Sequence, residues 1–346
     1  MKRASIVMVY ILLSTILGVL NIACSPSGEN GESEKKTESY MQPAFLQPGD
    51  SIGIMVLSSP INTIRRTKVD SMIRVVEGIG VKVRLGEHIF KNEFAAFSVS
   101  DKERADEFMG MVRNPNLKAI MFYRGGYGAI RTLEYLDMEE IKRNPKWIVG
   151  FSDVTTLHNV LSNHGIQSIH GGMPSSFWLT KRERPDSTLI TVQNALFGKT
   201  TGYEIAAHPY NKYGEAEGIL AGGNMTLITA SIGTPYDLKV DENTVLFIEE
   251  VGEGLNDIDR YMQQLKKSGK LDKIKALLVG SFTKIRDDED PWNIGAYELI
   301  KMYTDELDIP VIYKFPAGHS RPNYAQYLGR KVKVKVCQDG ASIEFL

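Results

Sequence analysis

Cysteine is nearly absent from this sequence. Cys24 and Cys337 are the two thiols among 346 residues, too few for a disulfide framework. No charge of one sign dominates: 41 Lys and Arg stand against 42 Asp and Glu, which leaves no electrostatic footprint for nucleic acid. Metal-ligand spacing is missing as well. His88, His158, His164, His170, His208 and His319 are scattered, and HExxH does not occur. No internal repeat divides the chain into copies. What is present is an ordinary globular balance, 42% apolar and 24% charged, with material for about two domains and a sizeable core.

One long apolar run opens the chain. Lys2 and Arg3 precede residues 6–20, and Asn21-Ile22-Ala23-Cys24 follows. A basic start, a run short for a stable span and a small residue before Cys24 mark a signal peptide over residues 1–23. The small residue followed by Cys resembles a bacterial lipoprotein cleavage box, although Asn21 stands where such boxes prefer a branched apolar residue. That resemblance implies a lipid on Cys24; the competing reading is an uncleaved anchor helix. Loss of residues 1–23 removes Lys2, Arg3 and no acid, leaving 39 basic against 42 acidic residues, a net charge of −3. The expected product is exported and lipid-anchored to a membrane, facing the periplasm or the exterior. Residues 24–43, rich in Ser, Glu, Gly and Lys, read as a solvated tether.

Behind the tether, apolar strands alternate with helical stretches. Strands are expected over 51–57, 81–85, 119–122 and 147–150, and helices over 61–78, 98–112 and 129–136. Ser100 with Glu103 three positions on supplies capping chemistry for the second helix. This alternation indicates an α/β fold with a largely parallel sheet, whose ligands sit beyond the carboxyl ends of the strands. The pattern weakens after residue 180. Residues 196–215 read as a linker between an N-terminal domain of residues 44–195 and a C-terminal domain of residues 216–346. The second domain should hold strands over 245–248, 274–279 and 311–313, an amphipathic helix over 256–265 and a closing hairpin around Asp339-Gly340.

Several strand ends carry residues with chemical potential. Gly150-Phe151-Ser152-Asp153 lies at the mouth of a helix. A serine there exposes its hydroxyl beside amides that no helical carbonyl satisfies, the arrangement of a nucleophile elbow. The second Gly of GxSxG is missing, and Ser and Asp are also the commonest helix caps. Arg124-Gly125-Gly126-Tyr127-Gly128 follows another strand, with glycines that allow a loop to line an oxyanion or carboxylate pocket. It makes a poor dinucleotide cradle: Arg131 stands where Gly or Ala is needed, and no acid follows at the required distance. Glu249 ends an apolar strand, and Glu250 should face the opposite way by strand alternation. His319 occupies the irregular loop Pro316-Ala317-Gly318-His319. Each of these, considered alone, is more simply a turn or a surface residue.

In this order, together with Ile169-His170-Gly171 and Leu220-Ala221-Gly222-Gly223-Asn224, the segments resemble the L,D-carboxypeptidase family of serine peptidases. The spacing agrees, with 97 residues from Ser152 to Glu249 and 70 more to His319. The resemblance implies a flavodoxin- or Rossmann-like parallel-sheet domain followed by a smaller α/β domain with a barrel-like sheet. It implies Ser152 as nucleophile, His319 as general base and Glu249 as the carboxylate that orients it. The amides of Asp153 and of Gly125 or Gly126 would hold the oxyanion and substrate, with no metal and no cofactor. The implied substrate is a murein tetrapeptide, cut through an acyl-enzyme at the L,D-amide before its terminal D-alanine, and a homodimer is implied too. Glu250 departs from the Asp common in the family, and Gly172 from the Pro. Two other readings stay open: an amidase that detoxifies peptide–nucleotide conjugates, and a binding lipoprotein without turnover.

Overall fold

The computed structural model describes residues 40–61, 66–177, 186–286 and 292–346. The expected signal peptide, Cys24 and most of the expected tether lie outside those residues. The end of that tether does not behave as a solvated linker. Met41 accepts from the Gln167 amide at 2.9 Å and donates to the Gly165 carbonyl at 2.6 Å, so the ordered fold starts before residue 44. Two backbone bonds formed with a distant segment leave no trace in the local composition.

The first sheet holds β1 (Ser51–Met55), β2 (Lys82–Leu85), β3 (Leu117–Phe122), β4 (Trp147–Gly150) and β5 (Ser168–His170), all parallel in the order β5-β4-β3-β1-β2. The second sheet begins with β6 (Gly202–Ala206), β7 (Gly214–Asn224), β8 (Thr244–Val251), β9 (Ala276–Thr283) and β10 (Val311–Ile312). The chain then returns to the first sheet, where β11 (Gln326–Leu328) adds an antiparallel edge to β5. It closes with β12 (Lys331–Cys337) and β13 (Gly340–Phe345), giving the order β10-β9-β8-β7-β12-β13-β6. β7 to β10 are parallel, and β12, β13 and β6 form an antiparallel wing. Lys212, between β6 and β7, exchanges two backbone hydrogen bonds with Val311 in β10, at 3.0 and 3.2 Å. That bridge curls the sheet toward closure.

The reasons are local. Trp147-Ile148-Val149-Gly150 is buried throughout, as an interior parallel strand covered on both faces must be. Trp147 stacks on Phe45 at 5.5 Å and meets Tyr327 of β11 at 5.4 Å. Such pairs contribute about 0.5–1.5 kcal/mol each beyond area burial. β12 instead faces water on one side: Val332, Val334 and Val336 point inward, while Lys331 and Lys335 are exposed. Ser100 and Glu103 form the expected capping box on the helix Asp101–Arg113.

Two expectations need correction. Residues 196–215 are not only a connection, because β6 and the first residues of β7 belong to the second sheet. The second half is not confined to its own sheet either, since β11 completes the first. Residues 129–136 are helical as expected, as the 3-10 helix Ala129–Tyr135. β6 and β11 are short strands stabilised through backbone pairing with distant partners, which a local side-chain pattern does not announce.

Candidate active site

The turn after β4 is tight. A Cβ at Gly150 would approach Val154 Cγ2 to 2.9 Å, so the chain can fold back here only without a side chain. Ser152 then takes a φ of 64°, a left-handed conformation that costs a non-glycine residue energy. It opens the short turn Ser152–Val154, which runs into the helix Thr155–Asn163. The serine caps neither, for no side-chain cap bond is made at either start. Its hydroxyl is turned elsewhere.

Asp153 does cap, but a different element. Its buried Oδ2 accepts from the Ala129 amide at 2.8 Å, tying the glycine loop to the elbow. Burial raises the pKa of this carboxyl, opposed by hydrogen bonds from Ser58 and Ala129 and by the charge of Arg104. The loop packs against the turn so closely that a Cβ on Gly125 would sit 3.0 Å from Ser152 Cβ. At Gly126, with φ 123°, a Cβ would fall 2.1 Å from Ser59 Oγ. Among the described residues neither the Asp153 nor the Gly126 amide meets an acceptor.

The remaining partners come from the second sheet. Glu249 lies beside a register shift in the β8–β9 ladder, fully buried. Its Oε2 accepts twice from His319, from Nδ1 at 2.7 Å and from the backbone amide at 3.1 Å. The other ring nitrogen, Nε2, lies 3.0 Å from Ser152 Oγ. Serine, histidine and glutamate therefore form one hydrogen-bonded series across the two sheets. Gly318 permits it: with φ 111°, a Cβ there would lie 2.6 Å from both Glu249 Oε2 and Ser281 Oγ. The Phe151 ring stands edge-on to the imidazole, with centroids 4.9 Å apart. Burial alone would lower the proton affinity of His319. The charge and hydrogen bond of Glu249, joined by the charge of Glu250, outweigh burial and raise its pKa above the ordinary histidine value.

Glu250 faces the opposite way, as alternation requires. It accepts from Asn224 Nδ2, the Thr226 amide and Thr226 Oγ1, each at 2.8 Å, at the start of the helix Met225–Ala230. The Asn224 amide in turn donates to Thr155 Oγ1 at 3.0 Å, joining β7 to the elbow helix. Sequence reasoning missed this brace, for which the run Gly222-Gly223-Asn224 was the available signal. A Cβ on Gly223 would come within 2.6 Å of Thr155 Oγ1. It also missed His158, which donates from Nε2 to the Gly150 carbonyl at 3.0 Å and pairs through Nδ1 with Ser168 Oγ at 2.8 Å. Burial pushes its pKa down to about 4, so the strut stays neutral. A cavity of about 500 Å³ lies past β2, lined by His88 and Glu107 among others, and contains neither Ser152, His319 nor Glu249. Among the described residues no cluster of His, Cys, Asp and Glu could hold a metal ion.

A hydroxyl, an imidazole and a buried carboxylate in series make an arrangement that hydrolases can use. Similarity to known proteins narrows the class. Residues 52–171 match the LD-carboxypeptidase N-terminal domain, and residues 217–334 match the LD-carboxypeptidase C-terminal domain. A probable murein peptide carboxypeptidase of Bacillus subtilis (strain 168) is 30% identical over 307 residues, covering 88% of this chain and 94% of that protein. The microcin C7 self-immunity protein MccF of Escherichia coli is 26% identical, covering 87% and 94%. The crystal structure of muramoyltetrapeptide carboxypeptidase from Oxalobacter formigenes superposes with a TM-score of 0.76 at 25% identity, over 85% of this chain and 98% of that one. The chain belongs to the LD-carboxypeptidase family.

Proposed function

We propose that this peptidase is a serine carboxypeptidase that hydrolyses the L,D-amide before the terminal D-alanine of a murein tetrapeptide. The observation that carries this reading is the unbroken series from Ser152 Oγ through His319 to Glu249, at 3.0 and 2.7 Å. Ser152 Oγ attacks the scissile carbonyl while His319 Nε2 takes its proton. The oxyanion is held by the amides of Asp153 and Gly126, with Gly125 keeping the loop close enough. His319 then gives the proton to the leaving nitrogen, the C–N bond breaks and D-alanine departs. Water, deprotonated by the same imidazole, cleaves the ester and restores Ser152. Glu249 fixes the tautomer that presents a bare Nε2 to the serine and stabilises the imidazolium that forms.

Mass spectrometry of a purified tetrapeptide incubated with the enzyme should show the loss of one alanine, and no loss with Ser152→Ala or His319→Ala. Full cleavage by both variants would sink the mechanism. Similarity to the microcin self-immunity protein supports a second reading, an amidase acting on peptide–nucleotide conjugates. A panel that includes such a conjugate separates the two by relative kcat/KM. On the same proposal the chain works in the cell envelope, lipidated at Cys24, as a homodimer. Labelled fatty acid should mark the wild type and not Cys24→Ser, and light scattering should give twice the chain mass.

A further inference from the structure

A peptidase that removes one terminal residue has to recognise a carboxylate, and chemistry says where that group lies. The leaving nitrogen must face His319 Nε2 to receive its proton, and the carboxylate sits one carbon beyond that nitrogen. A cation beside His319 would meet that carboxylate with charge-assisted hydrogen bonds, in a cleft where an unpaired carboxylate would be costly.

Among the described residues, three cationic side chains lie on segments that carry or adjoin the site. Arg321 is committed: it donates to the Ser176 carbonyl at 2.8 Å and lies 3.6 Å from Asp186. Arg124, next to Gly125, is half-buried and turned toward the Pro60 carbonyl at 3.4 Å. Lys284 differs from both. It follows the end of β9, is exposed, and among the described residues has no carboxylate partner. Two residues on, Arg286 faces Glu253 and Asp257 at 3.8 and 3.7 Å, so those two acids already have a cation beside them.

The strand end beneath Lys284 is fixed to the histidine loop. The Ser281 amide donates to the Ala317 carbonyl at 2.9 Å, and Thr283 Oγ1 donates to the His319 carbonyl at 3.4 Å. On the other side the Gly252 amide donates to the Thr283 carbonyl at 3.0 Å. Directly after this clamp Lys284 takes a φ of 52°, the left-handed region that a lysine adopts at a cost. Its charge is felt at His319, where it opposes protonation.

We propose that Lys284 is the binding residue for the terminal carboxylate of the peptide substrate, a role that rests on the carboxypeptidase reading above. A lysine suits it, since a flexible point charge can follow the carboxylate of different terminal residues.

The test compares the free-acid tetrapeptide with its C-terminal amide. In the wild type the acid is preferred. Lys284→Met should raise KM for the acid about ten- to hundredfold, leave kcat within a few-fold and erase the preference over the amide. Lys284→Arg should restore part of it. Calorimetry on Ser152→Ala gives a readout without turnover: adding Lys284→Met should weaken acid binding by at least about tenfold and leave amide binding unchanged. An unchanged acid-to-amide ratio in Lys284→Met overturns the proposal, and so does a ratio that collapses in Arg124→Met instead. A wild type that binds the tetrapeptide through Lys284 but never cuts it refutes the carboxypeptidase reading and leaves the subsite standing.

Discussion

The turn that carries Ser152 and the loop that carries His319 meet at 3.0 Å but are built on opposite principles. The serine is held by its own chain. It follows an interior parallel strand, sits in a left-handed conformation next to a glycine that must be glycine, and has His158 bracing the strand from behind. The histidine depends instead on neighbouring strands: Glu249 Oε2 takes both its ring and backbone protons, and Thr283 Oγ1 of β9 donates to its carbonyl. A hydrogen-bonded pair can thus combine one member fixed by backbone geometry with one fixed by charge. Substitutions should expose the difference.

The largest effect is expected on the charge-held side. Glu249→Gln keeps the shape but removes the charge, and turnover should fall about ten-thousandfold, as expected when the histidine tautomer is lost. The wild-type kcat/KM should rise with pH through a value above the ordinary histidine pKa of about 6.5, because His319 must be neutral to act as base. In Glu249→Gln that limb should move to lower pH, since the charge that raised it is gone. A limb that stays in place would mean that the carboxylate does not control the imidazole.

On the backbone-held side the expected readout is stability. His158 has a folded-state pKa lowered to about 4, so its contribution is present above the unfolded value and is lost as pH falls toward 4. Denaturant titrations should therefore show the advantage of wild type over His158→Gln shrinking by about 3 kcal/mol between pH 7 and pH 4. A gap independent of pH would show that the residue titrates normally. Gly318→Ala attacks the charge-held side sterically. Its methyl would collide with Glu249 Oε2 and Ser281 Oγ, and a displacement of this kind should cost about a hundredfold in kcat, with a lower Tm. Normal activity in that variant would mean that the loop can yield. The smallest effect belongs to the contact between the two regions. Phe151→Leu loses an edge-on ring pair of about 0.5–1.5 kcal/mol, so kcat should drop about two- to tenfold with the pH limb unmoved.

The same contrast governs what could be read without coordinates. Trp147–Gly150 is visible as a strand with its observed limits, because burial on both faces forces an apolar run. The serine's helix mouth and the Ser100 capping box are visible for the same reason: their chemistry is written within a few residues. Ser152, Glu249 and His319 come to attention together through the resemblance of the ordered motifs to the L,D-carboxypeptidase family. Their distances were not legible, nor was the left-handed φ at Ser152, which depends on the elements packed around it. The sequence points to the amide of Asp153, whereas its carboxylate accepts from the Ala129 amide at the start of the 3-10 helix Ala129–Tyr135. Alternation turns Glu250 away as expected, but three of its acceptor bonds depend on Asn224 and Thr226, at the end of β7 and the start of the helix that follows. β6 and β11 escaped notice because a short edge strand needs only a neighbour's backbone.

β11 also bears on how the molecule comes into being. The first five strands leave the ribosome well before Gln326–Leu328, so the edge of β5 stays open while the second half is still being made. The segment that finally covers that edge lies just downstream of His319 on the same stretch of chain. A chain cut before residue 319 would lack both the strand that covers the β5 edge and the imidazole that meets Ser152.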